Sequence, residues 1–574
     1  MYHSLYNTLE LPRNVSVPEF VLRQLDDEKD LGPLLFPSPF TTRADAVPLK
    51  LDDVRQGAYG IATSLLSPEL PGGAWKKGDV VLFLTENQHD YLLAALGTML
   101  AGGIPALLNP QYKGRELVEM MHKVSPRAIF VSEATLANAE QAAEDYAETG
   151  AKPPIYVMAE GHERSLQKLL QAPGMQRRAA GDKAIESVQI EPETDTAVFC
   201  FSSGTSGPPK VVRLSHFNLV ANVIQTTVAL GGRMNKPRFD DANWYDQPLG
   251  PAQDGTHEVH LSILPQFHCY GLLTALAALH TATPCVIFSR FSTEHFFEAV
   301  QKYKVTFMFV VPPMLLALAT SPLVKKYDVS TIKSFASGAA KLSKELCQLV
   351  LEKQGIPVTD GYGMTEMSPL ISLQTTADIK RKHLDVGRLV PNTEARVVDV
   401  ASGKDVGPGE TGELWLRGPQ MMLGYLDNDE ADAKSFVPNA QDPERFFRSG
   451  DIVSIDEQGY VKIHDRLKDI IKYNGYQVAA SELEALVSAC KSVLDVAVTG
   501  KVDRADATRN ELPWAFVVPS DEGRQVPEEE RTQGVLDYVN ARVPPYKKIR
   551  GVTWMDALPK SSAGKILKRE LREL

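Results

Sequence analysis

The sequence predicts an α/β protein. It has a large N-terminal portion of parallel sheets flanked by helices, a smaller β-rich subdomain, and a small, mobile α+β domain at the C-terminus. Three observations carry this expectation. Short apolar runs alternate with helical segments through the first two-thirds of the 574 residues. The texture changes near Pro391 to alternating strands joined by Gly, Asp and Asn turns. A final stretch beyond "DRLKDIIKYNGYQV" has helices and strands of its own.

In chain order, "DVVLFLT" precedes a helix over Asp90 to Ala101, "IPALLN" a helix over Lys113 to Val124, and "RAIFVS" an Ala/Glu-rich helix near 134–148. "TPCVIFS" precedes a helix over Thr293 to Tyr303, and "VTFMFVVP" a helix from Pro313. Apolar strands alternating with helices imply parallel sheets covered on both faces. "EARVVDV", "GELWLRG" and "DIVSIDEQGYVKIHD" read as antiparallel strands of the smaller region, about 391–466. Past Lys468 come a helix over Ala480 to Cys490, the strands "LDVAVTGKV" and "PWAFVVPS", and a helix over Pro527 to Arg542. The predicted boundaries are 1–466 and 467–574, with a hinge near Lys468.

Composition narrows the function. A chain this long exceeds one core and divides into about two to four units. With 61 Lys and Arg against 72 Asp and Glu, the net charge is −11, which argues against nucleic acid as a partner. Five scattered cysteines, never spaced C-x-x-C, point to no disulfide framework and no zinc site. The N-terminus has no apolar signal core. Two uncharged runs, Tyr91 to Leu108 and Val305 to Val324, have the length of membrane spans. Gly102, Gly103 and Pro105 break the first, and Pro312 and Pro313 the second, so both read as buried strand and helix. The residues 235–255 are polar and read as a surface insertion.

Five stretches carry candidate chemistry. In "SSGTSGPPK", Ser202, Ser203, Gly204, Thr205, Ser206 and Gly207 offer hydroxyls and open backbone N–H groups that form an anion nest, and Lys210 adds a cation. The spacing is not that of a Walker A loop. A flexible linker is the alternative reading, but regular structure resumes at once on either side. In "TDGYGMTEMSP", Gly361 and Gly363 flank Tyr362 on a tight turn, and Thr365 and Glu366 supply oxygens suited to magnesium between phosphates. A turn with a buried Tyr and a capping Thr is the competing reading. Asp451, in "SGD", enters a strand and suits a pair of ribose hydroxyls, although an aspartate at a strand start, taken singly, is usually a turn residue. "DRLKDIIKYNGYQV" places Arg466, Lys468 and Lys472 close together near Gly475, and "LPKSSAGKILKRELREL" puts Lys565 after a Ser/Gly turn. Solvated charge is the default for such runs. A lysine beside flexible turns also suits a loop that closes over phosphate.

In their order, these stretches resemble the acyl-adenylate-forming superfamily of acyl-CoA synthetases, adenylation domains and luciferases, with most likeness to its 4-coumarate:CoA ligase-like branch. "ILPQFHCYGL", "SGAAKLSKEL" and "GELWLRGPQMMLGYLDN" belong to the same ordered set, which runs from about residue 80 to the end. The resemblance implies that a carboxylic acid is activated with ATP and Mg2+ as acyl-AMP, releasing pyrophosphate, and that coenzyme A then displaces AMP. It implies Lys565 between carboxylate and α-phosphate, Lys210 at the phosphates, and Asp451 and Arg466 on the ribose. Lys468 matches the hinge. Lys472 and Gln477, with Asn474 and Gly475, match AMP and second-half contacts. Ala339, Asp360, Gly361, Tyr362 and Thr365 match the adenine and phosphate wall. His268, Cys269, Tyr270, Thr274, Gly338, Gly363, Met367 and Pro369 match the acyl pocket.

The sequence departs from the plant enzymes at Asp360, where they carry an amide, and at Asn474 and Arg290, where lysine is usual. Adenylation survives these departures; the coenzyme A contacts are what they put in question. Cinnamate-like and medium-chain acids both suit the pocket residues. The alternatives are an adenylating enzyme that loads a carrier protein in trans, a luciferase-type oxygenase, and an inactive binding protein, the last opposed by the intact set Lys210, Glu366, Asp451, Arg466 and Lys565. The final Arg572-Glu573-Leu574 departs from a peroxisomal S-K-L signal, so the expected compartment is the cytoplasm.

Overall fold

The structure, a computed structural model, describes residues 1–23, 33–36, 48–68, 70, 73–159, 162–166, 183–202, 209–230, 258–340, 342–375, 378–379, 385–439, 442–473, 476–502, 511–560 and 566–574. Its frame is two large sheets. One has the order Gly424–Tyr425, Lys210–Ser215, Thr196–Ser202, Ile104–Leu108, Val80–Leu84, Ala128–Val131, Ile155–Val157. Every residue of Val80–Leu84 and Ile104–Leu108 is buried, as strands covered on both faces must be. The helices that cover them are amphipathic. Gly114–Val124 buries Leu117, Met120, Met121 and Val124, the i, i+3, i+4, i+7 stripe of one helical face.

The second sheet runs Arg388–Leu389, Leu370–Leu373, Val358–Gly363, Ser334–Ser337, Phe307–Val310, His260–Ser262, Cys285–Ile287, Leu35–Phe36. Both supposed spans dissolve into this architecture. The first is the helix His89–Leu100 plus the strand Ile104–Leu108, and the second is the strand Phe307–Val310 plus the helix Pro312–Thr320. That second helix starts at Pro312, one residue earlier than the sequence suggests, because a first-turn proline sacrifices no helical N–H. Among the described residues, no helix is long and apolar enough to cross a membrane.

The large sheets are mixed, not wholly parallel. Lys210–Ser215 runs antiparallel to Thr196–Ser202, and Leu370–Leu373 antiparallel to Val358–Gly363. A reversed neighbour needs only a tight connection, whereas a parallel one needs a covering crossover. The β-rich region is an antiparallel sheet built on Glu394–Val398, Gly412–Arg417, Asp442–Ile455 and Val461–Arg466. It recruits Tyr2–His3 from the far end of the chain as an edge strand. Reciprocal bonds between Leu9 and the Asn392 side chain, both 2.9 Å, continue that seam. Beyond it, Val493–Val502, Glu511–Pro519 and Gly551–Trp554 form a three-stranded sheet over a separate apolar cluster that includes Leu483, Val498, Val517 and Val535.

Candidate active site

Strand ends and turns from several elements meet at one place. Asp451 and Arg466 lie directly opposite each other across the pair Asp442–Ile455 and Val461–Arg466. Arg466 Nε stands 3.1 Å from Asp451 Oδ1, and the Tyr362 hydroxyl donates to Asp451 Oδ2 at 2.5 Å. Asp451 is 3 % exposed, so its charge is held by these two partners rather than by water. Its amide donates to Ser449 Oγ at 3.0 Å, and that hydroxyl donates to the Leu414 carbonyl at 2.7 Å. Burial and then the neighbouring carboxylate push the Tyr362 phenol well above its usual range, which keeps it a donor. Burial opposes the Arg466 charge, but Asp451, Tyr362, Asp469 and Glu366 together outweigh it and the guanidinium is held more firmly protonated.

The next wall comes from the parallel strands Ser334–Ser337 and Val358–Gly363, which pair Ser337 with Asp360. Both run into tight turns. Ala339 adopts φ +66°, and Gly363 has no room for a Cβ against the Pro369 carbonyl. Asp360 donates its amide to Gln374 Oε1 at 3.0 Å, and its carboxylate accepts the Gly361 amide at 3.0 Å. Burial pushes the Asp360 carboxyl up to about 8. Ser337 Oγ is buried without a partner among the described residues.

The supposed acyl-pocket residues converge on the same strands. His268 caps the helix Cys269–His280, its Nδ1 accepting from the Tyr270 amide at 3.2 Å. The Tyr270 ring rests on Gly338, where an added Cβ would sit 3.3 Å from it, and its hydroxyl donates to the Ala336 carbonyl at 3.4 Å. Phe309 meets that ring edge-on with centroids 5.9 Å apart. Burial, with help from Asp360, raises the Tyr270 phenol. Cys269, Met367 and Pro369 are buried, and the Cys269 thiol donates to Thr365 Oγ1 at 3.4 Å. Thr274 donates to the Gly271 carbonyl at 3.0 Å.

Lys210 opens the strand after the Ser/Gly loop. Its ammonium lies over the Tyr425 ring, 4.5 Å from the centroid. The Tyr425 hydroxyl donates to Glu366 Oε1 at 3.0 Å, so a cation from one motif and a carboxylate from another meet through one phenol. Ser202 pairs with Lys210 at the mouth of the loop. Ser203, Gly204, Thr205, Ser206 and Gly207 lie outside the described residues, as do Asn474, Gly475, Lys565, the side chain of Gln477 and the insertion at 235–255. Lys468 is exposed, its carbonyl accepting from Arg572 Nη2 at 2.8 Å, and Lys472 is exposed with its amide donating to Glu511 Oε2 at 2.8 Å. Sequence reasoning missed Tyr425, Ser337 and Gln374. Tyr425 had a signal in the Gly-Tyr of "MMLGYLDN", but the other two are ordinary polar residues whose role comes only from their neighbours across the sheet.

The description "AMP-binding enzyme" matches residues 65–426, and "AMP-binding enzyme C-terminal domain" matches 482–565. The chain belongs to the AMP-binding enzyme family. Among relatives of this family, the "Probable 4-coumarate--CoA ligase 1" of Dictyostelium discoideum is 32% identical, covering 100% of this chain and 97% of its own. The "4-coumarate--CoA ligase 2" of Nicotiana tabacum is 34% identical over 93% and 92%. An ATP-bound MatB from Rhodopseudomonas palustris shares the fold at a TM-score of 0.80 and 25% identity, covering 98% of each chain. Family membership thus agrees with the α/β fold and with the expected class of acid–thiol ligase, an AMP-forming acyl-CoA synthetase.

Proposed function

We propose that this enzyme joins a carboxylic acid, cinnamate-like or medium-chain, to coenzyme A in two steps. The observation that carries the proposal is the buried Asp451, held by Tyr362 and Arg466. Such a carboxylate suits two ribose hydroxyls, and the Glu366–Tyr425–Lys210 group suits the phosphates beyond. In the first step an acid oxygen attacks the α-phosphorus and the bond to the β-phosphate breaks, giving acyl-AMP and pyrophosphate. In the second the coenzyme A sulfur attacks the acyl carbon, AMP leaves with the bonding pair, and the thiol proton passes to solvent.

Negative charge builds on the α-phosphate in the first step and has to be met by groups already in place. Lys565 is assigned there and Lys210 at the departing pyrophosphate. Ala339, Asp360, Gly361 and Tyr362 are assigned to the base. His268, Tyr270, Thr274 and Gly338, backed by Cys269, Met367 and Pro369, are assigned to the acid. Thr365 and Glu366 offer the hard oxygens magnesium prefers, and no cluster of three or more His, Cys, Asp or Glu stands among the described residues. Thr365 and Glu366 would hold the ion together with phosphate, and it would supply charge neutralisation there.

Lys472, Gln477, Asn474 and Gly475 are assigned to the second step, after rotation of residues 467–574 about Lys468. The proposed compartment is the cytoplasm. The test is acid-dependent ATP–pyrophosphate exchange over a panel of aromatic and aliphatic acids, followed by AMP release on adding coenzyme A. Exchange without coenzyme A-dependent AMP release would transfer the second step to a carrier thiol, and no exchange with any acid would overturn the proposal.

A further inference from the structure

Tyr425 is bound into the site from two sides. The Met422 amide donates to the Glu366 carbonyl at 2.9 Å, fixing the segment to the turn Thr365–Met367. The Leu423 amide donates to the Arg213 carbonyl at 3.0 Å and the Leu426 amide to the Val211 carbonyl at 2.9 Å, fixing it to the strand that begins with Lys210. The Tyr425 amide donates to Asp432 Oδ1 at 2.9 Å. The ring is 5 % exposed, so its place is set by packing and by these bonds.

We propose that Tyr425 is a positioning residue for Mg·ATP: it keeps the Glu366 carboxylate at its hydroxyl edge and the Lys210 ammonium on its ring face, as two separate charges. Opposite charges this close would otherwise pair, and each nucleotide would have to break that pair before using either group. Among the described residues Glu366 and Lys210 do not pair with each other. The phenol gives the cation an electron-rich face and gives one carboxylate oxygen a donor, leaving the other oxygen for a metal. The inference rests on the adenylating role proposed for this site.

The test uses Tyr425→Phe, which keeps the face and removes the donor, and Tyr425→Leu, which removes both. Binding of ATP is measured by calorimetry on the full chain across a magnesium titration, alongside ATP–pyrophosphate exchange. Tyr425→Phe is expected to raise the magnesium concentration for half-maximal ATP binding about three- to tenfold, the net size of one ordinary hydrogen bond, and to affect kcat less. Tyr425→Leu should in addition weaken ATP binding without magnesium, because Lys210 is then free to pair with Glu366. A Tyr425→Phe titration that overlays the wild type, or a loss confined to thermal stability, overturns the inference. If the Leu variant does not fold, the Phe variant still decides. The binding arm also stands if no acid supports exchange, so failure of the functional proposal and failure of this one are distinguishable.

Discussion

Replacing Asp360 by asparagine preserves the shape of the side chain and removes its titration. The carboxyl sits half-buried within the strand Val358–Gly363, accepts the Gly361 amide at 3.0 Å, and is pushed by burial up to about 8. In the unfolded chain it titrates near 3.8. A raised acid means that unfolding releases a proton between these two values. The native state therefore bears no cost below pH 3.8, loses stability as pH rises through the window, and levels off above 8. At pH 7 the interval is about 3.2 units, or roughly 4 kcal/mol at 1.36 kcal/mol per unit, and access of water to a half-buried group reduces this to about 2–4 kcal/mol. Asp360→Asn should then stabilise the protein by that amount at pH 7 and by almost nothing at pH 4, read from unfolding midpoints across pH. If the adenine amino group of ATP donates to this carboxyl, ATP favours the ionised form and binding near pH 7 expels a proton. Calorimetry in two buffers of different protonation enthalpy measures that proton, and the Asn variant should expel none. A stability gain equal at pH 4 and pH 8 would refute the reasoning.

Tyr362→Phe removes the 2.5 Å bond to buried Asp451, at a cost of about 1.5–3 kcal/mol in stability, and should raise the KM for ATP about three- to tenfold; an unchanged KM would detach Asp451 from the nucleotide. Burial lowers His216, whose Nδ1 accepts from Val17 N at 3.2 Å, to about 4, and lowers His280, stacked on Phe20, to about 3. The unfolded chain takes up these protons near pH 6.5 and the native one does not. Stability should thus fall from pH 6.5 downward, by roughly 2 kcal/mol per histidine at pH 5, and hydrogen exchange in the helix Val17–Val21 should show it first. Lys468→Pro, which fixes φ near −65°, should leave single-turnover acyl-AMP formation within about tenfold and slow thioester formation by much more. Equal slowing of both steps would exclude a pivot at that residue.

The frame of the two large sheets was legible because its signal is local. Runs such as Val80–Leu84 are buried on both faces and need no partner to be recognised, and Gly114–Val124 carries its stripe within a few turns. The edges were not legible for the converse reason. Tyr2–His3 is two residues of strand whose partner lies nearly four hundred positions away, so no periodicity marks it. Tyr425 is similar: its importance comes from lying between the strand of Lys210 and the turn of Glu366, a fact of pairing rather than of spacing.

Asp451 shows how far a motif reaches and where tertiary structure takes over. The sequence marks it and Arg466 as candidate ribose contacts, yet fifteen positions between two residues do not make them meet. Their meeting depends on register. The ladder pairs Asp451 with Arg466 and Ile452 with Asp465, then shifts between Ile452 and Val453. In an antiparallel pair each one-residue slip turns a side chain to the opposite face. A slip that set Asp451 opposite Asp465 would leave two buried carboxylates facing each other and Arg466 without a partner. The irregularity at Ile452 lets the apolar alternation of Val453 and Ile455 fit its core while the charged end keeps its own register. The site's electrostatics are thus fixed by the same step that fixes the packing, and Tyr362, arriving from the neighbouring sheet, closes onto a carboxylate already aimed.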